Sequence, residues 1–86
     1  MKFADLDFKP HLGGVGGVQA RVAFDNGYGA SVVRTSFSYG GEEGKYELAV
    51  LKDGDLNYET PITDDVLGWL TKGQVTNTLK AIEALE

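Results

Sequence analysis

The sequence predicts an α+β fold: a four-stranded, mainly antiparallel sheet made of two hairpins, followed by two C-terminal helices packed on one face. Three observations carry this expectation. Asn26-Gly27 and Asp53-Gly54 are each flanked by apolar, β-branched or aromatic runs, and each supplies the two φ > 0 residues of a two-residue type I′ turn. Residues 45–51 form the longest apolar stretch and read as a central strand. Beyond residue 59 the pattern changes to helix-start signals and then to helical apolar spacing. Eighty-six residues make a single domain, 1–86, able to bury about 60–65% of its unfolded surface.

Residues 3–9 alternate, with Ala4, Leu6 and Phe8 on one side and Asp5, Asp7 and Lys9 on the other. They predict a short half-buried first strand, ended by Pro10. Gly13-Gly14-Val15-Gly16-Gly17 is a tightly turning or adaptable loop. It fits no phosphate-binding pattern: no placement yields Gly-x-Gly-x-x-Gly, no Gly-Lys-Ser/Thr follows, and the next element is a strand where a helix N-terminus is needed.

The first hairpin covers residues 18–35. A two-residue turn at Asn26-Gly27 sets Val18, Ala20, Val22 and Phe24 opposite Thr35, Val33, Ser31 and Gly29. Phe24 then covers the bare backbone of Gly29, while Gln19, Arg21, Tyr28 and Arg34 lie on a wetter face. Phe37 and Tyr39 extend the strand, and Gly40-Gly41-Glu42-Glu43-Gly44 is an exposed acidic loop.

The second hairpin turns at Asp53-Gly54. Leu51, Leu56, Ala49 and Tyr58 share one face, and Val50 and Leu48 stand opposite Asn57 and Glu59. Tyr46, Leu48 and Val50 point the other way, so this strand is apolar on both faces and belongs in the middle of the sheet.

Thr63 can cap a first helix running to about Leu70. Asp64 and Asp65 complement its dipole, and Ile62 and Leu67 form a hydrophobic staple. Thr71 and Gln74 form a capping box for a second helix, along which Val75, Leu79, Ile82 and Leu85 face inward. Trp69 and Leu70 wedge the helices against the sheet. The expected core is Val22, Phe24, Val33, Leu48, Val50, Leu67, Leu70, Leu79 and Ile82.

Chemistry is sparse. Without cysteine there is no disulfide and no thiolate chemistry. The first residues lack the apolar run of a signal peptide, and no stretch approaches a membrane span. His11 stands beside the glycine loop with no nucleophile or orienting carboxylate indicated, so no catalytic residue is expected. Asp53-x-Asp55-x-Asn57-x-Glu59 superficially resembles the start of a calcium loop. Tyr58 occupies the position that needs glycine, and Asp64 the position that needs glutamate, so neither metal nor cofactor is expected.

A formal charge of −5 and a pI near 4.7 oppose binding of nucleic acid through its phosphates. They suit binding to a basic protein surface, although such a charge also serves solubility. The aromatics Tyr28, Tyr39, Tyr46, Tyr58 and Trp69 are numerous for the length, more than the core obviously holds. A protein-binding patch of Tyr28, Tyr39, Glu42, Glu43 and Tyr46 is the candidate site, since tyrosine brings large contact area at low entropic cost.

The runs Asn26-Gly27-Tyr28-Gly29-Ala30-Ser31-Val32-Val33, Tyr46-Glu47-Leu48-Ala49-Val50-Leu51 and Thr60-Pro61-Ile62-Thr63-Asp64-Asp65-Val66-Leu67-Gly68 resemble a family of small proteins of uncharacterised role encoded by bacteriophages and prophages. The likeness extends over nearly the whole chain. It implies expression in the cytoplasm of an infected bacterial host and no catalytic residues. By the company such proteins keep, it implies an inhibitor of host defence or host enzymes of the anti-CRISPR type. The expected partner is then a host protein, a nucleic-acid-handling complex in particular, with no direct contact to nucleic acid or membrane. The alternative is a small-ligand module, such as a sponge for a nucleotide signal, using the glycine loop with Arg21 and Arg34. Oligomeric state is open.

Overall fold

The structure is a computed structural model that describes residues 1–10, 17–35, 38, 43–57, 59–62 and 66–85. A 3-10 turn at Phe3–Asp5 is followed by β1 (Lys9–Pro10), β2 (Val18–Ala23), β3 (Tyr28–Arg34), β4 (Tyr46–Lys52), β5 (Asp55–Leu56), β6 (Leu67–Leu70) and α1 (Lys72–Glu83). All six strands join one antiparallel sheet in the order β1-β2-β3-β4, and both β5 and β6 pair with the far edge of β4. The α+β class and the antiparallel sheet agree with expectation; four strands and two helices do not.

β4 is central, as its two-faced apolar pattern requires. Tyr46, Leu48 and Val50 join Ala30 and Val32 of β3 beneath Val75, Leu79 and Ile82 of α1, all of them buried. The helical residues follow i, i+4, i+7 spacing, which turns one stripe toward the sheet. Thr71 caps α1 as its sequence indicates. Its Oγ1 accepts from the Gln74 amide at 3.2 Å, and Gln74 Oε1 accepts from the Thr71 amide at 2.8 Å.

The expected helix ending near Leu70 is not present over residues 67–70, which form β6; Thr63, Asp64 and Asp65 lie outside the described residues. β5 pairs with only Leu51 and Lys52, so the remaining edge of a buried central strand needs another partner for its amides and carbonyls. Leu67 and Leu70 supply it by pairing with Leu48 and Tyr46. Long-range pairing therefore overrides a local helix-start signal, in a segment whose Gly68 is a poor helix former.

The first strand also differs. Phe3–Asp5 turns as a 3-10 helix, and only Lys9–Pro10 pairs with β2. Phe3 and Phe8 fold back onto the core instead, with ring centroids 4.9 Å and 5.7 Å from that of Tyr46. Three aromatic rings meeting at one point outweigh the few hydrogen bonds a longer edge strand would add.

In the second hairpin Asp53 and Gly54 have φ of 51° and 87°, and Leu51 faces Leu56, as the turn dipeptide dictates. The first hairpin is displaced by one residue. Its loop holds Asp25, Asn26 and Gly27, closed by Phe24 N donating to Tyr28 O at 2.7 Å and Gly27 N donating to Phe24 O at 3.1 Å. This is a type I turn followed by a left-handed glycine, with φ of 86° at Gly27. Val22 consequently faces Ala30, not Ser31, and Ala23 rather than Phe24 lies opposite Gly29. The slip moves Tyr28, Ala30, Val32 and Arg34 to the face of Val22, and Val33 to the opposite face. Of the expected core, Leu48, Val50, Leu79 and Ile82 are fully buried. Val22, Phe24 and Leu70 pack half-buried at its margin, while Leu67 and Val33 are half-buried outside it.

Candidate functional site

The anticipated tyrosine and glutamate patch does not assemble among the described residues. Tyr46 is 8% exposed and serves the aromatic cluster of the core, not the surface. Tyr28 is half-buried against that same core, and Lys52 Nζ sits 4.9 Å from its ring centroid. Tyr28 pairs with Lys52 at one end of β4 and Tyr46 begins the other end, which puts them roughly 20 Å apart along the strands. Glu43 is exposed. Tyr39 and Glu42 lie outside the described residues, as does His11.

The two arginines suggested for a small ligand are also separated. Arg21 pairs with Ser31, and Arg34 pairs with Val18, so the two side chains leave opposite faces of the sheet. Arg21 lies on the face away from α1, where its Nη2 donates to the Gly54 carbonyl at 2.8 Å. It borders an open depression of about 380 Å³ whose wall includes Gly29, Leu51, Asp53 and Gly54. Among the described residues no three His, Asp or Glu side chains converge as metal ligands would.

A different surface stands out. Among the described residues, the large apolar side chains that remain exposed are Leu56, at 58%, and Trp69, at 53%. Leu56 is on β5 and Trp69 on β6, so both border the same edge of β4. Leu56 lies opposite Leu51, and Trp69 lies beside Glu47, a separation of roughly 13 Å along that edge. Between the pairs Tyr46↔Leu70 and Leu48↔Leu67, two residues on β6, Gly68 and Trp69, oppose the single residue Glu47. This is a β-bulge, the irregularity that re-aims a side chain. Within it Trp69 holds φ of 59°, a left-handed conformation that costs a bulky L-residue about 1–2 kcal/mol.

Charge collects on the same segment. Residues 53–70 contain Asp53, Asp55, Glu59, Asp64 and Asp65 and no lysine or arginine, whereas the rest of the chain carries eight acids and eight bases. The entire formal excess of −5 therefore belongs to this one stretch. The imbalance is legible in the sequence, but the capping and turn roles of these aspartates draw attention away from it. Trp69 is among the aromatics too numerous for the core, but its place beside Leu70 also reads as a wedge against the sheet, and nothing in the sequence marks the bulge that turns it outward.

Comparison of the chain with protein-family models, with curated proteins and with solved structures finds no match. No helix among the described residues is long and apolar enough to cross a membrane.

Proposed function

We propose that this chain is a protein-binding module that occupies a basic surface on its partner through the β5–β6 edge. The observation that carries the reading is that, among the described residues, both large exposed apolar side chains, Leu56 and Trp69, border one edge of β4, and that they belong to a stretch of sequence, residues 53–70, with five acids and no base. Apolar anchors ringed by charge are the usual composition of a binding hot spot: the buried anchor slows dissociation, and the rim carboxylates speed association. The resemblance to phage-encoded proteins supplies a setting, the cytoplasm of an infected bacterium. There, an acidic module binding where a host complex holds nucleic acid acts as an anti-defence inhibitor without catalysis of its own.

The test is affinity capture from host cells with the wild-type chain beside a Leu56→Ser/Trp69→Ser variant of native melting temperature. A host protein should be retained by the first and lost by the second, and nucleic acid should compete for it. Equal retention by both would move the interface elsewhere, first to the exposed side of α1.

The small-ligand reading has one observation in its favour, the depression beside Arg21. Calorimetry with nucleotides against the wild type and Arg21→Ala checks it; heat that persists unchanged in the variant would remove Arg21 from any such site.

A further inference from the structure

Asn26-Gly27 is the chain's only Asn-Gly pair; Asn57 and Asn77 precede Tyr58 and Thr78. Glycine, without a Cβ, is the following residue that least hinders its own nitrogen from reaching the side-chain amide carbon. In an unfolded chain this dipeptide cyclises. The Gly27 nitrogen attacks Asn26 Cγ, the Cγ–Nδ2 bond breaks, and the displaced amine takes the proton lost by Gly27 and leaves as ammonia. Water then opens the succinimide at either carbonyl, giving aspartate or isoaspartate.

The fold ties down both reacting groups. Asn26 Nδ2 donates to the carbonyls of Ile82, Glu83 and Leu85 at 2.9, 3.2 and 3.0 Å, and Oδ1 accepts from the Tyr28 amide at 3.0 Å. Gly27 N donates to the Phe24 carbonyl at 3.1 Å. The half-buried amide is gripped at both ends, so bringing its carbon onto Gly27 N requires the loop and the end of α1 to part first.

We propose that Asn26 is a deamidation site held in check by its own clasp on α1, and that the product cannot re-form the clasp. A carboxylate has no proton to donate. At position 26 it would set negative oxygens against three carbonyls at the negative end of the helix dipole. Asp25 and Glu83 border the same depression and add to the repulsion. Isoaspartate would also lengthen the backbone of a loop that sets Val22 opposite Ala30. The change is therefore one-way: a chain that opens at this corner long enough to cyclise returns with its first hairpin and helix end parted. This device stands apart from the protein-binding reading of the β5–β6 edge.

The wild-type chain is incubated in one mildly alkaline buffer, with and without denaturing guanidinium chloride. Peptide mapping by mass spectrometry then assigns the product to position 26 rather than to Asp53-Gly54, where the same ring forms with loss of water. The native chain should deamidate about tenfold or more slowly than the denatured one, because reaction waits on local opening. Ala81 is exposed in the last turn of α1, so Ala81→Gly loosens that turn without touching the core; it should speed native deamidation about fivefold. A guanidinium series below the unfolding midpoint gives the same reading without a variant. There the rate should track amide exchange in the last turn of α1, not exchange in the β3–β4 core. Asn26→Asp, the product without isomerisation, should melt below Asn26→Ala, since a carboxylate repels where a methyl group only withholds a donor.

Equal rates in the native and denatured chain, or no deamidation in denaturant, would overturn the proposal. A native rate indifferent to Ala81→Gly and to last-turn exchange would give the protection to the loop alone and overturn the clasp as its cause. Asn26→Asp melting at or above Asn26→Ala would overturn the one-way outcome.

Discussion

The two hairpins share a turn chemistry, a side-chain amide or carboxylate followed by glycine, yet they close differently. At Asp53-Gly54 both residues take φ > 0, and the strands meet across a two-residue loop. At Asn26-Gly27 only the glycine does so, and Asp25 is drawn into a three-residue loop. The second loop is held to its neighbours through its backbone, with Asp53 N donating to the Gly27 carbonyl at 2.8 Å and the Gly54 carbonyl accepting from Arg21 Nη2 at 2.8 Å, and it keeps the geometry its dipeptide prefers. The first is docked on α1: Asn26 Nδ2 donates to the carbonyls of Ile82, Glu83 and Leu85 at 2.9, 3.2 and 3.0 Å, while its Oδ1 accepts from the Tyr28 amide at 3.0 Å. The Glu83 and Leu85 carbonyls lie at and just beyond the helix end, where the helix itself supplies no donor, and the Ile82 carbonyl accepts from the Leu85 amide at 3.1 Å as well. Burial acts in the same direction, since the one-residue slip sends Ala30 and Val32 into the core in place of Ser31 and Val33. A turn held by its backbone keeps the geometry of its dipeptide; a turn clasped through its side chain obeys its neighbours.

Four substitutions break or sharpen this contrast. The largest effect is expected from Leu79→Ala, which empties the helix stripe that holds α1 over the first hairpin. Full burial of this side chain predicts a loss of about 2–5 kcal/mol, read by urea unfolding. An unchanged midpoint would show that α1 does not fix the sheet.

Gly29→Ala comes next. An added Cβ would lie 2.2 Å from the Val22 carbonyl oxygen, which is backbone and cannot swing aside. A cost of about 1–3 kcal/mol is expected in thermal unfolding. A neutral result would mean that β2 and β3 separate here more easily than their register implies.

Asn26→Ala removes the clasp between loop and helix. With the side-chain donor lost to three carbonyls, of which only that of Ile82 keeps a backbone donor, the Leu85 amide, about 1–2 kcal/mol should be lost, and amide exchange should speed up in the last turn of α1. Native exchange rates there would show that the helix end does not need the loop.

The smallest effect is expected from Asp53→Asn, because asparagine is equally suited to a type I′ turn and keeps the backbone bonds that tie the loop to Gly27 and Arg21. A shift within about 0.5 kcal/mol is expected. A loss as large as that of Asn26→Ala would show that the second loop, too, is held through its side chain.

Much of the architecture was legible in advance. The turn of the second hairpin with its Leu51–Leu56 pair, the centrality of β4, the capping box at Thr71 and the inward stripe Val75, Leu79, Ile82 each rest on neighbours within a few residues, and each appears as expected, whereas Leu48 pairs with Leu67 and not with Glu59. Three features were not. The 3-10 turn at Phe3–Asp5 exists because Phe3 and Phe8 find Tyr46, a partner far along the chain. β6 exists because β5 leaves part of the β4 edge unpaired. The bulge that turns Trp69 outward follows from seating Leu67 and Leu70 on Leu48 and Tyr46 with two residues between them against one. The candidate patch suffered accordingly. Tyr46 looked available because its strand alternates, but the aromatic pair that buries it comes from the N-terminus.

By itself, then, the sequence determined what depends on local chemistry: the class of fold, the turn at Asp53-Gly54, the start and apolar face of α1, and the clustering of acidic residues between 53 and 70. Only the tertiary structure decided the register of β2 against β3, the strand at Leu67–Leu70 and the exposure of Trp69. Each of those turns on competition between segments distant in the chain for the same buried surface or the same unpaired edge. Such a competition is settled by burial and backbone pairing across the whole domain, where a local preference worth a fraction of a kcal/mol per residue is readily outvoted.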